Sequence, residues 1–393
     1  MKAFAAAILP RTERLISDWI GPLSVFLVCT ALLWLPERGL FPKLVYPAVL
    51  SAIILVACHP KAMLDWARQP VGTVLAVFAG YFALTLAWTD SDEAPQALIM
   101  RQTQIVLWCA LVFLLARANF ERLRGALTLA AGLASLAAVY EVGRFLLVGA
   151  SARLASEGAL GNPLLISHIY GFFGALWLGW LLTDSAGSSR LSRITALVPI
   201  LLLLVFTGSR TPLLATLVTG LWLAVAIGGR RAALLLIGFI VGGGAIVVLF
   251  QDLVLARGLS YRPEIWANAL TQGLEKPWFG HGLGAPLTIQ LPDISYAFRD
   301  PHNMTLSVFY RGGVAGVGLW VALYTVALVG ALRHRQDRFV VVASAAVVYG
   351  LVAGMTEGGA LFPRPKEHWF LIWIPLAILI AAIDRSTRLV RLP

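Results

Sequence analysis

Apolar residues in this chain neither alternate with polar ones nor recur only every third or fourth place. They form long blocks separated by short polar clusters. Twelve such blocks stand out, at about 21–36, 44–58, 71–88, 103–118, 125–142, 163–182, 194–208, 212–228, 232–250, 304–330, 339–355 and 368–383. A span needs roughly 20 mostly apolar residues to cross about 30 Å of hydrocarbon. In lipid a helix satisfies its own backbone, and the dyad alternation of a transmembrane barrel is absent here. The pattern therefore predicts an all-α polytopic membrane protein with about twelve transmembrane helices. It holds no internal repeat or soluble domain, so residues 1–393 read as a single integral membrane domain.

Composition agrees: 59% of the 393 residues are hydrophobic and 13% are charged. Charge then sets the orientation. With a cytoplasmic N-terminus, the inner segments collect Arg11 and Arg14, Arg122 and Arg124, Arg333, Arg335 and Arg338, and Arg385, Arg388 and Arg391. The whole net charge of +11 then falls on that face and the other face balances to zero. This is the positive-inside asymmetry, and with an even number of spans it puts both termini in the cytoplasm. It also removes the reason to read pI ≈ 10.0 as nucleic-acid binding, since insertion and anionic lipid demand the same bias. Cys29, Cys58 and Cys109 fall within blocks, without metal-ligand spacing, and read as packing thiols. The stretch Phe4–Leu9 reads as an interfacial segment and not as a signal peptide, because Arg11, Arg14 and Asp18 follow without a cleavage pattern.

Most connections are short. One, 251–303, is long and lies on the outer side, where a loop of that length is usually functional or disordered. Tyr261, Ile265, Trp266, Leu270, Trp278 and Phe279 argue against disorder. Positions 263–274 predict an amphipathic interfacial helix opened by Pro263, and Gly280-His281-Gly282-Leu283-Gly284 predicts a flexible turn. In another outer loop Asp90, Asp92 and Glu93 suit either a divalent cation or, more simply, a solvated acidic loop.

Three residues on the outer face sit beside prolines at expected helix starts. Arg210 lies in Ser209-Arg210-Thr211-Pro212, with Thr211 the expected cap; it is either an anion ligand or a snorkelling charge. Arg262 precedes Pro263, where a guanidinium fork and a helix N-terminus together suit phosphate; the alternative is an ion pair with Glu264 or another outer acid. His302 follows Asp300-Pro301, with Asp300 the expected cap of the next span. A helix N-terminus and nearby arginines lower an imidazole pKa, leaving the neutral form that a general base needs. The other reading is an interfacial histidine in a capping turn. His281 is a reserve candidate, His168 reads as structural, and His59, His334 and His368 show no polar constellation. Two cations and a base at one surface suit an anionic lipid substrate: arginines stabilise a pyrophosphate leaving group without a metal, and the histidine takes the proton of an acceptor hydroxyl.

Four runs, in order, carry a resemblance. They are Arg210 to Gly220, Arg262 to Leu270, Pro277 to Gly284, and His302 to Leu306 followed by Gly312-Gly313-Val314-Ala315-Gly316. They resemble the O-antigen ligase superfamily, which includes the lipopolysaccharide O-antigen ligases, the O-antigen polymerases and related protein oligosaccharyltransferases. The resemblance implies a GT-C-like membrane glycosyltransferase with a periplasmic site in the Gram-negative inner membrane. It implies a glycan donor on undecaprenyl pyrophosphate and, for the ligases, a lipid A-core acceptor. It assigns pyrophosphate contacts to Arg210 and Arg262 and acceptor activation to His302, by an inverting, metal-independent reaction with no cofactor. Asn303, Trp266, His281 and Arg311 are the supporting candidates.

Ligase is the first reading. A polymerase using the same donor is its nearest rival. A lipid-linked-glycan flippase would place charges along a central route, whereas here they cluster at block ends, apart from Glu141 and Arg311.

Overall fold

The computed structural model describes residues 10–148, 153–183, 188–229, 236–238, 240–242, 244, 261–292 and 294–391. The expected span 232–250 lies largely outside them, as do the interfacial segment Phe4–Leu9 and residues 251–260 of the long loop.

The described chain is helical. After a π-helical turn at Ile16–Ile20 come α1 (Gly21–Thr30), α2 (Phe41–Cys58), the short α3 (Pro60–Arg68), α4 (Pro70–Leu84) and the long α5 (Pro95–Leu147). Then follow α6 (Pro163–Thr183), α7 (Ser188–Phe206), α8 (Arg210–Ile227), α9 (Arg262–Gly273), α10 (Met304–Arg333), α11 (Arg338–Gly354) and α12 (Trp373–Arg391). Pro60, Pro70, Pro95 and Pro163 each occupy a first helical position, where the missing N–H breaks no bond. Among the described residues, nine helices are long and apolar enough to cross a membrane. One of them, α5, carries two of the expected spans: its backbone leaves helical geometry at Asn119 (φ −151°), between 103–118 and 125–142. Helix α11 is shorter, at 17 residues.

Helix α11 is the axis of the bundle. Every residue from Phe339 to Gly350 is buried, with α6, α8 and α12 packed around it. Lipid tails are as apolar as the helices, so close backbone approach has to drive this packing. Gly171, Ala175 and Gly179 lie four apart on α6. A Cβ on Gly171 would sit 1.7 Å from Tyr349 Oη, and one on Gly179 would sit 2.9 Å from Val342 Cα. Tyr349 Oη donates to the Ser167 carbonyl at 3.0 Å, which satisfies its buried polar tip. The central helix therefore holds a fixed register and delivers its C-terminal turn, Met355 to Gly359, to one end of the bundle.

At that end the loop before α10 builds a small core of its own. Helix α9 begins one residue before the expected start, at Arg262. Its apolar face, Ile265 and Ala269 with Trp266, packs on Leu287, Ile289 and Tyr310. Ile289 and Phe298 exchange two backbone hydrogen bonds of 2.9 Å, which close the loop over this core. Tyr310 Oη donates to the Pro286 carbonyl at 2.6 Å.

The glycine turn is packed, not flexible. Helix α10 breaks at Gly313 (φ +61°), and segment 277–282 is spliced into the break. Val314 and Ala315 donate to the carbonyls of Pro277 and Trp278, at 2.8 and 3.2 Å. His281 and Gly282 donate to the carbonyls of Tyr310 and Arg311, both at 2.9 Å, replacing the helical partners those carbonyls lost. Tyr81 Oη donates to the Gly312 carbonyl at 2.5 Å. The break thus leaves these backbone groups paired, as a buried segment requires. A Cβ on Gly280 would lie 2.4 Å from the Arg311 backbone, and one on Gly313 would lie 2.4 Å from the Trp278 backbone. The two glycines permit the splice because both need positive φ at a close backbone approach.

Candidate active site

The turn after α11 collects the candidates. Glu357 is buried, and one of its carboxylate oxygens accepts from Arg262 Nη2. Its other oxygen lies 3.9 Å from His302 Nδ1. Arg262 Nε also donates to the Thr356 carbonyl, at 3.1 Å. A cation here complements the negative end of α11, whose last carbonyls face this turn. Thr356 Oγ1 meets Thr211 Oγ1 at 2.7 Å, which ties the first turn of α8 to the same point. Arg210 is the first residue of α8. The starts of α8 and α9 and the residue two before α10 therefore converge on Thr356 and Glu357.

His302 is the one non-glycine residue with positive φ (+46°) among the described residues. Asp300 holds it there: Asp300 Oδ1 accepts the His302 backbone N–H at 2.9 Å and stands 3.0 Å from ring Nδ1. The Phe298 ring packs edge-on against the imidazole, with centroids 5.9 Å apart, so the loop core buttresses the histidine. A strained φ at a polar cluster is a recognised mark of a functional site.

The electrostatics reverse the sequence expectation for His302. The side-chain contact with Asp300 raises its pKa above the ordinary imidazole value against the pull of burial; Glu357 adds to the rise and Arg262 opposes it. The helix dipole does not decide the matter, because the carboxylate is in contact while the helix begins only at Met304. For Asp300, burial pushes upward, but the contacts and charge of His302 outweigh it and bring the carboxyl down to about 2. Burial pushes Glu357 up, against the pull of Arg262 and His302.

Two caps also differ from expectation. Asn303, not Asp300, caps α10, its side chain accepting from the Leu306 N–H at 3.0 Å. Ser209, not Thr211, is the residue before α8; Thr211 lies inside the first turn and points to Thr356. Arg262 makes the ion pair that its alternative reading allowed, with Glu357 as the outer acid and not Glu264.

The supporting candidates divide. Arg311 Nη1 donates to Ser307 Oγ and to the Gly359 carbonyl, the latter at 2.9 Å. A Cβ on Gly359 would sit 2.1 Å from Asp300 Cβ, so Arg311 fixes the strand of chain against which Asp300 packs. Trp266 belongs to the loop core. His281 is built into the loop frame: its ring stacks on Tyr310 at 4.4 Å, and Nε2 lies 2.9 Å from the Gln272 carbonyl. His368 does have polar company, with Nδ1 3.1 Å from Glu367 and its ring centroid 6.3 Å from that of the buried His168. His59 lies 3.0 Å from Glu13, and His334 Nδ1 lies 3.2 Å from Ser386. Asp90 faces Lys276 at 3.8 Å and Glu93 pairs with Arg101, so these two acids of the outer loop point to different partners.

Glu357 and Thr356 are absent from the sequence reading. The available signal is an acid and two glycines directly after the eleventh apolar block, on the same expected face as His302.

The fold and site define a polytopic membrane protein with a paired arginine, the buried carboxylate of Glu357 and a histidine bound to the partly exposed Asp300, gathered at one end of its central helix. A family model described as O-antigen ligase matches residues 195–321, from within α7 through the first half of α10. An O-antigen ligase of Pseudomonas aeruginosa is 38% identical over 384 residues, covering 96% of this chain and 95% of the relative. The chain belongs to the O-antigen ligase family.

Proposed function

We propose that the protein transfers a glycan from undecaprenyl pyrophosphate to the lipid A-core oligosaccharide, at the periplasmic face of a Gram-negative inner membrane. Both termini are then cytoplasmic, and residues 251–303 form the periplasmic loop of one integral membrane domain. The observation that carries this reading is the convergence of Arg262 and His302 on Glu357 beside the first turn of α8.

The chemistry follows from the contacts. With Nδ1 turned to Asp300, His302 offers Nε2 to the acceptor hydroxyl. Nε2 takes the proton as the hydroxyl oxygen bonds to the anomeric carbon. The bond from that carbon to the pyrophosphate oxygen breaks, and the pyrophosphate leaves with the electron pair. Attack opposite the leaving group inverts the anomeric centre. Asp300 stabilises the imidazolium so formed, as a carboxylate in contact does. A guanidinium has five N–H donors, so the contacts of Arg262 through Nε and Nη2 leave donors for the pyrophosphate. Arg210, at the positive end of α8, is the second anion ligand. No metal is needed for any of these steps.

The acceptor separates ligation from polymerisation, and the identity of the curated relative favours ligation. The test is complementation of a ligase-deficient host that makes lipid-linked O-antigen and a matching core. A restored lipopolysaccharide ladder supports the proposal. Failure there with success in a polymerase-deficient host would assign the acceptor to a second lipid-linked glycan.

A further inference from the structure

The ring system beside His302 does not end at Phe298. Phe298 packs edge-on against the imidazole, with centroids 5.9 Å apart. Tyr296 in turn packs against Phe298, with centroids 5.2 Å apart and ring planes at 60°. Phe298 is a fixed spacer, because it packs on the loop core and its backbone is pinned to Ile289 by two hydrogen bonds of 2.9 Å. Tyr296 is 63% exposed. The three rings form a ladder from the histidine to the surface, and its outer rung is open.

Charge orders the same surface. Glu357 accepts from Arg262 on one carboxylate oxygen and turns the other toward His302 Nδ1, 3.9 Å away. Contacts therefore run from Arg262 through Glu357, His302 and Phe298 to Tyr296. An anionic leaving group belongs at the guanidinium end of that series. Tyr296 stands at the other end, joined to the histidine and not to the arginine.

The surroundings decide what the open ring can hold. The side chains of Asp300 and His302 are 39% and 37% exposed. A prenyl or acyl chain laid over this surface would strip their water and return no hydrogen bonds, which costs free energy. A saccharide does not carry that cost. The C–H face of a pyranose packs on an aromatic ring while the hydroxyls at its rim keep hydrogen-bonding. Ligand sites commonly join aromatic surface to a few polar groups in this way, and tyrosine suits a place with one apolar and one wet side.

We propose that Tyr296 is the acceptor platform: a sugar residue of the acceptor stacks on its open ring, and the stacking sets the reach of the attacking hydroxyl to His302. Tyr296 is then a specificity-determining residue for the acceptor, outside the donor's pyrophosphate contacts. This deepens the transfer reading and rests on His302 as the base that meets the acceptor.

The test uses the full-length protein in detergent. Core oligosaccharide released from lipid A by mild acid is titrated into wild type and Tyr296→Ala, and binding is followed by calorimetry. Transfer to intact lipid A-core is measured in parallel, with acceptor varied at saturating lipid-linked donor. Expected for Tyr296→Ala is roughly tenfold weaker oligosaccharide binding, the ordinary scale for losing one aromatic anchor. A matching rise in acceptor KM should accompany it, with kcat and donor binding close to wild type. Tyr296→Phe and Tyr296→Trp keep a ring face and should bring binding back. The residue is exposed, so its removal opens no core cavity and should leave the thermal midpoint in place. Equal oligosaccharide binding by wild type and Tyr296→Ala, including none by either, overturns the proposal. So does a rise in donor KM at unchanged acceptor KM, which would give the ring to the donor's glycan. Tyr296-dependent oligosaccharide binding in a protein that transfers nothing to lipid A-core would uphold the platform and fail the ligation reading, so the two failures are distinct.

Discussion

Asp300 holds His302 twice through one oxygen, which accepts the backbone N–H at 2.9 Å and stands 3.0 Å from ring Nδ1. The contact fixes the ring, turns Nδ1 to the carboxylate and raises the imidazole pKa. Two pH dependences of opposite sign follow. If His302 is the base, as proposed, transfer needs the neutral ring, so the rate should rise with pH through the raised His302 value, above the ordinary imidazole value of about 6.5. Stability gained from the pair needs the charged ring, so it is present below that value and lost as pH rises through it. At the acid end it is lost again as Asp300 takes up a proton near about 2. Asp300→Asn should move the acidic limb of the rate profile to lower pH and reduce the plateau rate. A pH–rate profile of both forms checks this; an unmoved limb would mean that another group sets it.

Arg262 and Glu357 form a largely buried pair, with side chains 27% and 7% exposed. Removing one partner strands the other charge, which typically costs about 3–5 kcal/mol. Glu357→Ala and Arg262→Ala should each lower the thermal midpoint in detergent. The double variant should lose clearly less than the sum, because the second substitution removes the stranded charge. Strictly additive losses would show that the two side chains act independently.

The splice of segment 277–282 into α10 gives a third expectation. Gly313→Ala places a Cβ 2.4 Å from the Trp278 backbone at φ +61°. At φ +61° and ψ −162° the backbone lies in a region essentially reserved for glycine, which costs another residue roughly 1–3 kcal/mol, and the clash with main chain adds to it. The loop should detach from α10 while the bundle persists. Limited proteolysis should then cut between Tyr261 and Arg299 in the variant and spare the wild type. Gly318→Ala, where a Cβ meets nothing within 4 Å, is the matched control and should behave as wild type.

The span pattern was legible because burial in lipid needs unbroken apolar blocks, and the blocks at 71–88, 163–182 and 304–330 match helices to within a few residues. Arg262 and His302 were legible as polar residues beside prolines at expected helix starts. Their partner was not. Glu357 comes 55 residues after His302, and only the packing of α11 at the centre of the bundle brings its turn to them. The direction of the His302 shift failed for a related reason. A helix end reads directly from sequence, whereas a carboxylate contact depends on the turn that Asp300 and positive φ create, and the nearer charge wins. The glycine run 280–284 read as flexible because its function is steric: it lets two backbones touch, which sequence alone does not display.

The proton transfer to His302 is tested most directly by single-turnover transfer in proteoliposomes, with lipid-linked donor already bound and acceptor added. Wild type and His302→Ala are compared at equal protein, alongside donor binding. Expected is a loss of roughly 10²–10⁴ in the transfer rate, the usual contribution of a positioned general base, with donor binding close to wild type. Transfer at an equal rate in both would contradict the assignment of His302 as the base.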